Sequence, residues 1–322
     1  MTDPVAHGAL PVGGIARRVL FGPGGRVRAV WRLALYLLAF AAGVLVAQGL
    51  LYPLLLPLAR AVTVRPALGS WLALGGVVVA HVLCLRIVER RPWADVRLGR
   101  AALRPLPVAV GAFLGLVAIA VPTGLLLAAG AYRVVPAAAG SSLANAAALA
   151  GVLAPAALFE ELLVRGYPFL VLRESLGPLP ALLLTSIVFG ALHWQNPGAT
   201  LGSVGVVTLA GIFLGGVLLA TGSLWAAFAA HLAWNWSLAG LFHAAVSGLP
   251  FAAPDYRLVD AGPDWLTGGV WGPEGGAGAV AGMLGALAFL HLRASRTRRV
   301  EHGAAHAALA GQRPPDRADA SH

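Results

Sequence analysis

Along this chain the apolar residues gather into long runs, and the charged residues fall almost entirely between them. Eight runs stand out, at about 30–52, 70–88, 107–130, 143–172, 179–194, 201–221, 223–244 and 276–292, where a helix needs about 20 residues to cross a bilayer. The pattern predicts an all-α fold, a polytopic integral membrane bundle of about eight transmembrane helices, with residues 30–292 forming one membrane domain. Residues 1–29 are polar, carry Gly and Arg, and are too weakly patterned to fold alone, while residues 293–322 resemble a disordered basic-then-polar tail. Runs such as "LAGIFLGGVLLATG" are rich in Gly and Ala, which lets helix backbones approach closely. No period of 20–50 residues repeats, which excludes a solenoid.

Composition agrees with this pattern, since 58% of the 322 residues are hydrophobic and only 11% charged. The single cysteine, Cys84, lies in an apolar run, so a disulfide framework and a cysteine-based zinc site are both excluded. The net charge of +10 comes wholly from arginine, and the Ala-, Gly- and Arg-rich composition is that of a GC-rich bacterial genome. The arginines also orient the bundle, because short cytoplasmic loops carry the excess of positive charge. Arg17, Arg18, Arg26, Arg28 and Arg32 precede or open the first run, Arg86, Arg90, Arg91, Arg97, Arg100 and Arg104 lie between the second and third, and Arg293, Arg296, Arg298 and Arg299 follow the last. The opposite loops hold only Arg60 and Arg65, Arg133, and Arg257. A multi-pass protein of the bacterial plasma membrane is expected, with both termini cytoplasmic and the lipid bilayer as its partner. The arginines set topology, and no nucleic-acid partner is expected. Tryptophans near run ends, among them Trp31, Trp71, Trp194 and Trp271, suit interface anchors.

Ionisable and strongly polar residues inside the runs are few, and in a membrane such residues are functional candidates. They are His81, Glu160, Glu161, Arg165, His193, His231, Asn235 and His243. Glu161 and Arg165 are four apart, so they share a helix face and can pair, while Glu160 is turned about 100° away and has no local partner. Phe189 and His193 are again four apart, as are His231 and Asn235. At about 1.5 Å per residue, Glu160 lies roughly 18 Å from the cytoplasmic end of its run, His193 about 20 Å along its own, and His231 with Asn235 about 12–18 Å. Three helices can thus present polar groups at a common depth. His81 and His243 fall outside this set and suit structural or interfacial positions.

A carboxylate, two histidines and an asparagine supply what hydrolysis of a peptide bond by water requires, namely a base for the water, donors for the oxyanion and an acid for the leaving amine. The chain has no G-x-S-x-G elbow, no cysteine beside a histidine and no H-E-x-x-H helix, so nucleophile-based and classical zinc-helix schemes drop out.

The three motifs, Glu160-Glu161-x-x-x-Arg165, Phe189-x-x-x-His193 and His231-x-x-x-Asn235, resemble in identity and order those of the CAAX protease and bacteriocin-processing (CPBP, or Abi) family of intramembrane glutamic or metallo-endopeptidases. The resemblance covers residues 143–244. It implies that Glu160 activates the water with help from His193, that His231 and Asn235 form the oxyanion site, and that Glu161 and Arg165 brace the helix as structural support. It implies as partner a membrane-associated protein or peptide substrate, and leaves open whether the role is peptide maturation, immunity or protein processing. Glu160, His193 and His231 could together hold zinc with an open position, yet they also suffice for a glutamate-and-water scheme, so no cofactor is expected and zinc is the alternative. A different class of function remains, a non-catalytic immunity or scaffold protein or a proton-coupled transporter. A binding protein would tolerate Glu160→Gln, and a transporter should show matching broken helices in two halves, which the sequence lacks.

Overall fold

The computed structural model describes residues 12–22, 25–60, 65–137, 142–251 and 253–311. It is an all-α bundle with one small β-ribbon. Six helical stretches are long and apolar enough to cross a membrane: Ala29–Pro57, Ala67–Val88, Pro105–Ala128, Leu143–Leu176, Leu201–Thr221 and Ala277–Arg296. The chain is a multi-pass membrane protein.

Helix α1 (Val12–Leu20) precedes the bundle. The first span is built from α2 (Ala29–Val46), a π turn and α3 (Tyr52–Arg60), and the second from α4 (Arg65–His81) running into a second π turn, Val82–Val88. Then follow α5 (Pro105–Ala128), strand β1 (Tyr132–Pro136), α6 (Ser142–Arg165), α7 (Tyr167–Leu176), α8 (Pro178–Leu192), α9 (Leu201–Thr221) and α10 (Leu224–Trp236). Strand β2 (Tyr256–Asp260) pairs antiparallel with β1, Tyr132 opposite Asp260, and α11 (Asp264–Thr267) leads to α12 (Ala277–Gly311).

By this measure the spans number six among the described residues, against the eight expected. The two remaining apolar runs form the shorter helices α8, of 15 residues, and α10, of 13 residues continued by a π turn over Ser237–Leu241. Alpha-8 is bounded by Pro178 and by the polar "HWQNP" that follows it. In α10 the residues Leu224, Ala226, Ala227 and Ala230 have no exposure at all, so this helix is apolar because it is sheathed in protein by α5, α6 and α9. Such an interior helix has no bilayer thickness to match.

The ends differ from expectation as well. The polar N-terminal segment contains α1 and is tied to the bundle by Trp31, whose indole N–H donates to the Val19 carbonyl at 3.0 Å. Residues 1–11 lie outside the described residues. The tail expected to lack structure from residue 293 onward continues α12 as far as Gly311, over an alanine-rich stretch of high helix propensity, and residues 312–322 lie outside the described residues.

Close backbone packing fixes α10. A Cβ on Gly111 of α5 would sit 2.1 Å from the Ala226 carbonyl oxygen, and one on Gly115 would sit 2.0 Å from that of Ala230. Gly282 of α12 meets the Ala118 carbonyl in the same way at 1.8 Å, so α5 is a spine clasped on two sides.

Candidate active site

Alpha-6 carries the first motif and ends where Gly166 permits. A Cβ at that position would lie 2.2 Å from His81 Nε2, and this nitrogen accepts the Tyr167 N–H at 3.0 Å while Nδ1 donates to the Val77 carbonyl at 2.9 Å. His81 is therefore a satisfied core residue that joins α4 to the break between α6 and α7. His243 stacks on Tyr256 with ring centroids 4.4 Å apart, outside the motif cluster.

Within α6, Leu153, Ala156 and Glu160 face one cavity of about 110 Å³, while Glu161 faces inward. Glu161 Oε1 accepts Arg165 Nη1 at 2.8 Å, as the four-residue spacing suggests, and it also accepts His231 Nδ1 from α10 at 2.9 Å. Glu161 is thus more than a helix brace, because it orients the ring of a second motif. Arg165 reaches the Gly211 carbonyl at 3.2 Å and lies over the Phe189 ring at 4.2 Å from its centroid. The same ring contacts His193 and His231 at centroid separations of 4.9 and 5.8 Å, so the phenylalanine of the second motif has a physical role in spacing the two imidazoles above the buried cation.

His193, just past the last turn of α8, directs Nδ1 to the Phe189 carbonyl at 2.8 Å. A carbonyl only accepts, so Nδ1 carries the proton and Nε2 is the free edge. His231 is likewise held through Nδ1. Both Nε2 atoms converge on Glu160 Oε2, at 3.8 Å from His193 and 3.7 Å from His231, and that oxygen has no hydrogen-bond partner among the described residues. Asn235, one turn beyond His231, lines the same cavity, and its side chain makes no hydrogen bond to any described residue.

Zinc would have to be held by Glu160, His193 and His231. Donors about 2.0–2.2 Å from a tetrahedral ion stand about 3.4 Å apart, and the 3.7 and 3.8 Å separations here are a few tenths of an ångström wider. Among the described residues no group of three His, Cys, Asp or Glu side chains is gathered closely enough to hold a metal.

Three residues of this cavity were not anticipated. Glu274, in the segment before α12, is 6% exposed; its Oε2 accepts the Trp234 indole N–H at 2.8 Å, and its Oε1 accepts the Ser247 hydroxyl at 2.7 Å and the Ser247 N–H. Asn196 donates to the Ser247 carbonyl at 2.9 Å. Glu274, Ser247 and Asn196 pin the segment from Val246 to Phe251 across the cavity. Their signal in the sequence was faint, since "GPEGG" and "QNPG" carry the composition of solvent-exposed turns. Trp271 also departs from expectation, being 1% exposed in the core rather than at an interface.

Residues 141–237 match the family model described as Type II CAAX prenyl endopeptidase Rce1-like. The match runs from the start of α6 to the end of α10 and takes in all three motifs, so the resemblance drawn from them holds over this stretch. No curated protein and no solved structure matches the chain.

Proposed function

We propose that the protein is an intramembrane endopeptidase that hydrolyses a peptide bond of a membrane-associated protein or peptide with water activated by Glu160. The observation that carries this reading is the convergence of two imidazole Nε2 atoms, 3.7 and 3.8 Å away, on a carboxylate oxygen with no partner among the described residues. Water seated between them lies within hydrogen-bond reach of all three groups. Glu160 takes its proton as the water attacks the scissile carbonyl, and His193 orients it.

The developing oxyanion is met by Asn235 and His231. His231 Nδ1 is committed to Glu161, so its Nε2 donates only as imidazolium, held between Glu161 and Glu160, the two carboxylates that together face Arg165 and His231. Glu161 and Arg165 then hold the donor in place without touching substrate. Glu160 delivers its proton to the leaving amine. Every group is supplied by the chain, and the scheme takes no step through a metal.

A comparison of peptide termini in cells expressing wild type and Glu160→Gln tests the proposal. Products should disappear in the variant while the protein accumulates normally, and hydrolysis by purified wild type should survive thorough chelation. Unchanged termini in Glu160→Gln favour the binding-protein alternative. Activity lost on chelation and restored by stoichiometric zinc makes Glu160, His193 and His231 ligands instead.

A further inference from the structure

The two ends of the bundle differ in charge, and the cavity opens at only one of them. At the first end Arg32 and Arg91 meet Glu89 and Glu174, the Arg97 carbonyl accepts the first N–H of α10 at 3.1 Å, and Arg293 of α12 lies beside the start of α5. At the second end stand the β1–β2 ribbon, with Arg133 and Arg257 as its arginines, and the acidic residues Asp255, Asp260, Asp264 and Glu274.

The cavity runs from Glu160 past Val207 and Ala210 of α9 to Asn196, Ser247 and Leu249, all of the second end, and no residue of the arginine-bearing loops lines it. On the side toward the arginines Glu161 and Arg165 lie outside the lining, with side chains 0 and 1% exposed, whereas the Glu160 side chain keeps 28%. Leu249 at the rim is 45% exposed.

Short loops rich in arginine stay in the cytoplasm. We infer that the mouth of the cavity faces the extracytoplasmic side, and that the substrate is an apolar extracytoplasmic or juxtamembrane segment of a secreted or membrane protein rather than a cytoplasmic C-terminal tail. The apolar character follows from the wall nearest Glu160, formed by Leu153, Ala156, Val207, Phe213 and Leu214. The substrate class rests on the peptidase reading above, but the side of access does not.

Two measurements separate them. In the full chain, Leu249→Cys marks the mouth, Leu201→Cys the same end at the start of α9, and Arg100→Cys the arginine-bearing end; Cys84 has no exposure and stays silent. A membrane-impermeant maleimide should label the first two in intact cells and the third only after permeabilisation. The reverse pattern overturns the assignment of the mouth, and Leu201→Cys gives the answer even where Leu249→Cys fails to fold. In the comparison of peptide termini, products lost in Glu160→Gln should map to extracytoplasmic segments. Products mapping to cytoplasmic tails overturn the substrate class and leave the peptidase standing. No lost product removes the peptidase and the substrate class together, while the labelling still decides the face.

Discussion

Two groups of acids and bases sit in this bundle and are satisfied to different degrees. At the arginine-bearing end, Arg32 pairs with Glu89 at 2.6 Å and Glu174 at 2.9 Å, and Arg91 pairs with Asp95 and Glu174, each at 2.6 Å. Every carboxylate there has a cation. Burial alone would lower the Arg91 guanidinium, but its hydrogen bonds to Asp95 and Glu174 carry it above its ordinary value. In the middle of the bundle Glu161 serves Arg165 and His231 at once, while Glu160 is left with two histidine edges beyond hydrogen-bond distance. A saturated network holds the end of the bundle together. An unsaturated carboxylate beside a saturated one is what the proposed reaction with water needs, and on that proposal the two neighbouring glutamates divide support and chemistry between them.

The largest effect should come from breaking the unsaturated half. Glu160→Gln should lower hydrolysis by at least about a hundredfold, the low end for loss of a general base. His193→Ala should add little to that loss in the double variant, because residues that act as a unit forfeit most of the activity at the first change. Steady-state rates of the two single variants and the double variant decide it, and rates that multiply independently would separate His193 from the step proposed for Glu160.

Next comes the saturated partner within the same site. Glu161→Gln leaves Arg165 buried without its countercharge, for which about 3–5 kcal/mol of destabilisation is typical, and it releases the His231 ring. Thermal unfolding in detergent should show a clear drop for Glu161→Gln and none for Glu160→Gln. Equal melting of the two would erase the division of labour.

The smallest effect belongs to the arginine-bearing end. Its side chains are partly exposed, Arg91 by 25%, and Glu174 keeps Arg32 when Arg91 is lost. Arg91→Ala should cost under about 1 kcal/mol by the same unfolding measurement, with hydrolysis unchanged. A loss as large as that of Glu161→Gln would show that the end network carries the fold.

The motif residues were legible because helical spacing is local: Glu161 with Arg165, and His231 with Asn235, fall on common faces wherever the helices go. The approach of His231 to Glu161 was not, since it joins residues 70 apart on different helices. The lengths of α8 and α10 were not legible, because hydropathy gives the extent of an apolar run and neither the prolines and polar turn that bound α8 nor the protein that sheathes α10 changes that extent. Glu274 escaped because a carboxylate among glycines and prolines resembles a wet turn until Trp234 and Ser247 close on it.

The fit of α5 against α10 bears on how genetic data for this protein should be interpreted. Gly111 and Gly115 have no functional group and do not line the cavity, yet any side chain there meets the backbone of Ala226 or Ala230, and Ala230 adjoins His231. A saturation screen scored on activity alone would rank these glycines with Glu160 and draw the active site across a seam that holds no chemistry. Scoring abundance beside activity sorts them, since a displaced α10 reduces both and a missing base reduces only one.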